Sequence, residues 1–519
     1  MFAGAFHLEA DVTVHPLRDL QVLVLGLGAS GLAMARWCVR QGAQVTVLDT
    51  RESPPMLSTL KQELPQVSFV SAPMDASFLT DKTFNTVLSS PGLSPQSTAA
   101  LLEAARSAGA WLGGELGLFA FALKNLETEM GYTPKVLAIT GTNGKTTVTN
   151  LTGQLVQRAG KSVAVAGNIG PTLLDTLSAA LDAEALPQVW VLELSSFQLA
   201  QPSAFEPTAA VVLNLSQDHL DWHVDMAEYA QAKAHIFGSN ALMVLNRHDS
   251  AVMAMLPAPV RAKLQRPLER EHTTFGIDMP QRPGDFGIEA VNGMVWLVRA
   301  LEADETLKKS RQTPDQELHI QRLMPADALR IRGRHNASNA LAALALCSAA
   351  GCALGPVLFG LREYRGEPHR VQSVATIDSV EFFDDSKGTN VGATVAALCG
   401  LGEDRKVLVI LGGEGKGQDF TPLREPVARF ARAVVLIGRD APLIRDALAD
   451  LSVPMFDADS LQSAVQWTSE KAHAGDAVLM SPACASFDMF TNYEHRAQVF
   501  CEAVYSLALD AGVALEVQS

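Results

Sequence analysis

Short apolar runs that end in glycine punctuate the chain at three places. Gln21–Leu25 leads into GLGASG, Val136–Thr140 into GTNGKTT, and Val407–Leu411 into GGEGKG. Between them, runs such as VTVLD, VWVLEL, AAVVLN, AVVLIG and DAVLMSP alternate with Ala/Leu-rich stretches of helical period. Continuous apolar runs without polar alternation fit strands buried on both faces, as in a parallel sheet covered by helices. The pattern therefore predicts an α/β chain of three units in series. These are a Rossmann-like N-terminal domain, a central P-loop mononucleotide-binding ATPase domain and a C-terminal Rossmann-like domain. Boundaries are expected near Gly113–Pro134 and at REYRGEPHR, which gives domains over residues 1–114, 115–366 and 367–519. One segment breaks the pattern. Ala300–Pro325 is charged and weakly periodic, and is expected to be a surface excursion.

Composition narrows the possibilities. A length of 519 residues suits about three domains, and 48% hydrophobic with 19% charged residues is enough to build sizeable cores. The formal net charge of −15 argues against binding duplex nucleic acid, which needs a basic stripe to displace counterions. It leaves small phosphate ligands open, because these need only a cradle of N–H groups and a lysine. The six cysteines (Cys38, Cys347, Cys352, Cys399, Cys484, Cys501) show no metal-binding spacing and are expected to be buried thiols in a reducing compartment. The N-terminal MFAGAFHLEADVTVHP has no basic segment before an apolar core, and no apolar stretch approaches about 18 residues. A soluble, cytoplasmic protein with no membrane insertion is expected.

The first glycine turn has two readings. Gly26, Gly28 and Gly31 follow a strand and precede a helix starting near Ser30, and Asp49 ends the next strand. This is the dinucleotide spacing, in which the acid takes a ribose hydroxyl, and by itself it suggests an NAD-linked oxidoreductase. The same geometry suits any nucleoside diphosphate, a UDP-sugar included, with Thr50 and Arg51 available to base or phosphate. A glycine turn with no ligand is the plain alternative.

The second turn decides the class. Gly141, Thr142, Asn143, Gly144, Lys145, Thr146 and Thr147 supply N–H groups for phosphates, a lysine for the β/γ-oxygens and a hydroxyl for Mg²⁺. The first glycine stands two residues before GK rather than the usual four, yet the strand–turn–helix context predicts ATP here. Glu193 ends the strand VWVLE and His219 follows AAVVLN, so both are candidate metal ligands at strand ends. Asn336 and Asn339 share one face of a helix start, as a cap or as contacts to adenine.

In chain order, GTNGKTT, GNIG, ELSSFQL, NLSQDHLDWH, AKAHIF, HNASNALAA, EPHRVQ, DDSKGTN, LGGEGK and SPACASFD resemble the Mur ligase family along almost the whole chain. The similarity is strongest to the branch that adds D-glutamate, and that branch's first-domain glycine turn followed by LDTR is also present. The resemblance implies an ATP-dependent ligase of peptidoglycan precursor synthesis that joins D-glutamate to UDP-N-acetylmuramoyl-L-alanine. The path it implies runs through an acyl phosphate and a tetrahedral intermediate, with two Mg²⁺ ions; a monomer is expected.

The resemblance also implies residue roles. Ser30, Asp49, Thr50, Arg51 and Gly92 fall where the family binds UDP. Lys145 and Thr146 match its phosphate lysine and metal-binding hydroxyl. Asn168, Gln198 and His219 match positions that meet the muramoyl substrate or the second metal, and Glu193 matches a magnesium ligand. Lys233 matches a lysine that the family carbamylates; without the resemblance it would be taken for a surface residue. Arg370, Asp385 and Lys387 match residues that complete the ATP site, and Thr389, Lys416, Ser486 and Phe487 match the D-glutamate pocket. Gly388 stands where the family often has alanine, a difference expected to be benign. The rivals are a sister ligase adding another amino acid, a folate-polyglutamylating enzyme, an NAD-linked oxidoreductase and a non-enzymatic nucleotide-gated binding protein.

Overall fold

The computed structural model describes residues 17–220, 222–259, 269–303, 318–331, 333–402 and 405–513. The chain divides into two compact units, one of Met1–Val136, Ser162–Pro207 and Gly238–Asn240, the other of Leu137–Lys161, Thr208–Phe237 and Ala241–Ser519.

In the first unit, five parallel strands lie in the order Ser68–Ser71, Gln44–Asp49, Gln21–Leu25, Thr86–Ser89, Trp111–Gly113. The chain steps outward in one direction from Gln21–Leu25 and then returns to its other side at Thr86–Ser89. That reversal is the switch point at which open α/β sheets place ligands, beyond the strand C-termini. The glycine turn and Ser89–Gly92 both leave the sheet there. The same unit holds a parallel pair, Val163–Gly167 with Val189–Glu193, in register Gly167 to Glu193.

In the second unit, strands run in the order Leu318–Pro325, Met294–Glu302, Phe286–Val291, His272–Phe275, Leu242–Asn246, Ala209–Val212, Lys135–Thr140, the last entering the unit from Leu137. Pairing is parallel from Lys135–Thr140 out to Phe286–Val291 and antiparallel beyond. The expected surface excursion is thus corrected at both ends. Met294–Glu302 and Leu318–Pro325 pair over seven registered residue pairs, Trp296 to Pro325 through Glu302 to Leu318. Residues 304–317 lie outside the described residues. The charged run between the two strands hid the hairpin.

The C-terminal part of this unit is a six-stranded sheet in the order Gln372–Ile377, Val380–Asp384, Ala477–Met480, Val407–Gly412, Ala431–Ile437, Met455–Asp457, antiparallel only at its first pair. Alternate residues of Val407–Gly412 enter separate cores. Val407, Val409 and Leu411 pack with Leu423 and Ile444, while Leu408 and Ile410 pack with Phe500 and Val504. A strand buried on both faces has no polar side to show, which is why the run is continuously apolar. All six cysteines are free thiols, but only Cys38, Cys347 and Cys484 are buried, so the expected burial holds for half of them. No helix among the described residues is long and apolar enough to cross a membrane.

Candidate active site

The second glycine turn closes as a phosphate loop through its own backbone. Gly141 has φ +150° and Gly144 φ +83°, and Gly144 caps the helix Lys145–Arg158. A Cβ on Gly144 would lie 2.8 Å from Asn339 Oδ1. The N–H groups of this first turn and the helix dipole both favour an anion. The Lys145 ammonium donates to Gly141 O (2.9 Å) and Thr142 O (2.8 Å), folding back over the loop. Asn214 braces the loop from the end of the neighbouring strand. Its Oδ1 accepts from Asn143 N–H (2.8 Å) and its Nδ2 donates to Asn143 O (3.1 Å).

Lys233 corrects the surface expectation. It is 1% exposed on Met226–Ala234, donates to Gly141 O (3.0 Å) and Thr140 Oγ1 (3.3 Å), and lies 4.6 Å from the Tyr229 ring centroid. Tyr229, Ala232 and Lys233 are the helix's buried face, a spacing of three and four that the charge had masked. His219 lies in the loop after Ala209–Val212, with φ +54° and its ring 6.5 Å from that of Tyr229.

One pocket joins this loop to the C-terminal sheet. Its lining includes Asn143, Gly144 and Thr147, then Asn336 and Asn339, then Arg370 and Asp385. Asn336 and Asn339 are not caps: Gly333 is the N-cap of Arg334–Ala349, and Asn339 Nδ2 donates to Asn336 Oδ1 (3.2 Å). Arg370 Nη2 reaches Thr146 Oγ1 at 3.4 Å. It is carried between His369 (φ +63°) and Val371 (φ +46°), left-handed conformations that are strained for a β-branched residue and persist only where surroundings impose them. Here Asp385 Oδ1 accepts from Val371 N–H (3.2 Å), and Asp384 accepts from His369 Nδ1 (2.6 Å). Two amides hold the two sides together, with Asn390 Nδ2 donating to Asn143 Oδ1 (3.1 Å) and Asn143 Nδ2 to Asn390 Oδ1 (3.3 Å).

The electrostatics are uneven. Burial pushes the Asp385 carboxyl up to about 7, against the Ser481 hydroxyl (2.6 Å) and the nearby Arg370, which favour its charge. The hydrogen bond to Asp384 raises His369 above the ordinary imidazole value. Desolvation, helped by Arg370, lowers His335 to about 4, so it lines the pocket as a neutral ring.

Sequence reasoning missed His335, Glu367, Asn214 and Asn390. Glu367 accepts from Tyr364 Oη (2.7 Å) and Asn150 Nδ2 (2.5 Å), fastening the loop that bears Arg370 to the phosphate-loop helix. Its only signal was its place beside the PHR of EPHR.

At the same edge of the C-terminal sheet, beyond its strand C-termini, Lys416 (φ +51°) lies 5.9 Å from the exposed Phe487 ring, and Ser486 is buried. Lys387 lies 5.5 Å from the Tyr493 ring, and Thr389 N–H donates to Lys387 O (3.0 Å). Gly388 is not interchangeable with alanine here. An added Cβ would stand 2.6 Å from Asp385 Oδ2 and 2.9 Å from Ser481 Oγ, inside their hydrogen bond.

In the first unit the three glycines have three different reasons. Gly26 has φ +82°, Gly28 leaves open space where a Cβ would point, and a Cβ on Gly31 would collide with Gly26 O. These match the tight turn, the ligand approach and the helix–strand contact of a nucleotide turn. Asp49, however, is 2% exposed. Its Oδ2 accepts from Leu27 N–H (2.8 Å) and Arg51 Nη2 (2.8 Å), its Oδ1 from Arg51 N–H (2.9 Å) and Nε (2.8 Å). Its expected role toward a ribose hydroxyl gives way to locking the turn, while Thr50, Arg51 and Gly92 are exposed. Ser30 bonds to the buried Glu115. Glu193 Oε1 accepts from Asn168 Nδ2 (2.8 Å), and its Oε2 is buried with no hydrogen-bond partner among the described residues. Gln198 Oε1 is taken by a capping box with Ser195. Among the described residues no cluster of three or more His, Cys, Asp or Glu is preassembled for a metal ion.

Comparisons with known proteins follow this layout. Residues 20–113 match the Mur ligase MurD-like N-terminal domain, 139–347 the Mur ligase middle domain and 369–484 the Mur ligase glutamate ligase domain. The UDP-N-acetylmuramoylalanine–D-glutamate ligase of Albidiferax ferrireducens is 67% identical over 97% of this chain and 99% of its own. Its counterpart in Ralstonia nicotianae is 56% identical over 95% and 98%. Among solved structures, the UDP-N-acetylmuramate-alanine ligase of Thermotoga maritima superposes with a TM-score of 0.52 at 20% identity, covering 94% of this chain and all of that one. MurF from Acinetobacter baumannii gives 0.54 at 17%, covering 93% of each.

Proposed function

This chain belongs to the Mur ligase family of ATP-dependent amide-forming enzymes, and from that premise we propose that it joins D-glutamate to UDP-N-acetylmuramoyl-L-alanine. The observation that carries the reading is the pocket where the phosphate loop, the Asn336/Asn339 pair and Arg370/Asp385 converge, in a chain whose relatives are named for this reaction. We assign the first domain (1–114) to the UDP end, the second (115–366) to ATP and the third (367–519) to the amino acid. A cytoplasmic monomer is part of the same proposal.

In the first step, an oxygen of the alanyl carboxylate attacks the γ-phosphorus of ATP and the bond to ADP breaks. The Lys145 ammonium and the N–H groups around Gly144 offset the charge on the phosphoryl oxygens. Asn336 and Asn339 orient the adenine, and Arg370 places a cation beside Thr146. In the second step, the amine of D-glutamate attacks the acyl carbon, and a tetrahedral intermediate forms. The carbon–oxygen bond to phosphate then breaks and the nitrogen loses its proton, leaving an amide. Thr389, Lys416 and Ser486 supply the cation and hydroxyl groups that a free dicarboxylate needs, with Phe487 beside them, while Lys387 completes the ATP site with Arg370 and Asp385. Ser30, Thr50, Arg51 and Gly92 face the UDP group, with Asp49 behind them, and Asn168 and Gln198 the muramoyl part.

The residues that would hold magnesium are Thr146, Glu193, His219 and Lys233, the last as its carbamate. The buried Glu193 Oε2, with no hydrogen-bond partner among the described residues, suits a hard cation. The nearly fully buried Lys233 lies beside Gly141 O and Thr140 Oγ1 of the phosphate loop, where its carbamate would supply anionic oxygen. Magnesium would neutralise phosphoryl charge during transfer.

The test is phosphate release from ATP with UDP-N-acetylmuramoyl-L-alanine across a panel of amino acids. Turnover with L-lysine or meso-diaminopimelate but not with D-glutamate would move the protein to a sister ligase. Binding of NAD in preference to UDP by the first domain would return the oxidoreductase reading.

A further inference from the structure

Arg496 lies on the helix Tyr493–Asp510 and is 1% exposed. Its Nε donates to Ser386 Oγ (3.0 Å), its Nη2 to Ser386 O (2.8 Å) and its Nη1 to Cys484 O (3.1 Å). All three acceptors are neutral, and among the described residues no carboxylate is hydrogen-bonded to it. A buried cation without a hydrogen-bonded counter-ion is costly, and a well-packed apolar side chain in its place is commonly neutral or better for stability. Desolvation pulls this guanidinium down to about 10. Such a group calls for a reason beyond packing.

Its contacts supply one. Ser386 immediately precedes Lys387, Gly388 and Thr389, while Cys484 stands two residues before Ser486. The two loops are also tied by Ala483 N–H to Gly388 O (3.0 Å), and Ser386 Oγ donates back to Tyr493 O (2.8 Å) at the start of the helix. One planar fork therefore fixes the relative position of two loops that are far apart in sequence, using donors in a rigid array that lysine cannot reproduce. The surroundings also hold Asp384, Asp385 and Asp488, whose charges act on Arg496 from nearby. The positive charge of Arg496 offsets these carboxylates beside loops proposed to receive a dicarboxylic amino acid.

We infer that Arg496 is a positioning residue for the amino-acid substrate, holding the loops of Lys387–Thr389 and Ser486 in register and offsetting the aspartates behind them so that a dicarboxylic amino acid can bind. The inference rests on the reading of these loops as the D-glutamate site. In the full-length enzyme, R496M, R496K and S386A are compared with wild type for kcat and for the KM values of D-glutamate, ATP and the UDP substrate, with thermal melts alongside. R496M is expected to raise the KM for D-glutamate about ten- to a hundredfold while the other two stay within about threefold. R496K, which keeps the charge, is expected to recover part of the loss, and S386A, which removes one acceptor, to shift KM a few-fold in the same direction. An unchanged D-glutamate KM in folded R496M overturns the inference, and so does a uniform rise in all three KM values. If R496M fails to fold, R496K and S386A decide by the same split. Failure of the wild type to use D-glutamate at all would remove the functional reading itself, whereas a working wild type with a flat variant series removes only this inference.

Discussion

Asp385 holds a charge that the fold resists, and replacing it with asparagine should make the ligand-free protein more stable. The carboxyl is 5% exposed and is pushed up to about 7 from an ordinary value of 3.8. A carboxylate raised on folding contributes stability below its unfolded value and loses it as pH climbs toward the folded one. The gap is about 3 pH units at 1.36 kcal/mol each, so at pH 8 ionised Asp385 costs about 4 kcal/mol at most. Asparagine is nearly isosteric. Its oxygen can still accept from Val371 N–H, and its amide can donate to a Ser481 hydroxyl rotated to accept.

For a domain of roughly 150 residues, each kcal/mol moves the melting point by about 2–4 °C. Calorimetry at pH 8 should therefore show the D385N transition above wild type by up to about 8–16 °C. At pH 5 the difference should fall to less than half, since only about 1.6 kcal/mol of the cost remains there. Ligation should drop at least about tenfold, because the side chain lines the nucleotide pocket beside Arg370. A variant less stable than wild type at pH 8, or a stability difference that does not change between pH 5 and pH 8, would refute the reasoning.

Replacing Lys145 by methionine keeps the helix but removes the phosphate-loop cation, and phosphate release should fall by about a thousandfold or more; a near-normal rate would dissolve the assignment of the loop. Gly388→Ala places a methyl inside the Asp385–Ser481 contact and should destabilise the C-terminal domain by about 1–3 kcal/mol, measured by denaturant midpoint, with no loss if alanine fits after all. At Asp49, burial disfavours the charge, but Arg51 and the N–H groups of Leu27 and Arg51 prevail and bring it to about 2. Its contribution is therefore present above the unfolded value of 3.8 and is lost as pH falls toward 2. D49N should weaken UDP binding in calorimetric titrations at neutral pH and blunt the acid limb of the stability profile between about pH 4 and 2.

The fold class was legible because buried parallel strands leave no room for polar side chains, so runs such as VLVIL announce themselves. The phosphate loop was legible for a related reason: only glycine accepts the backbone at Gly141 and Gly144, and the lysine and threonines follow at fixed offsets along one turn of helix. Lys233 was legible only by resemblance. A lysine says surface until the helix face carrying it is seen to pack against the phosphate loop.

What the sequence could not supply was every relation made by return of the chain. Asn390 meets Asn143 across 247 residues, and Arg496 meets Ser386 across 110. Asp49, in sequence a free acid at a strand end, has its oxygens taken by Leu27 and Arg51. Local spacing fixes periodicity, caps and glycine turns because these are set by backbone sterics within a few residues. Which polar groups meet, and which carboxylates keep their protons, is decided by burial and by partners that only the tertiary structure brings into hydrogen-bonding distance.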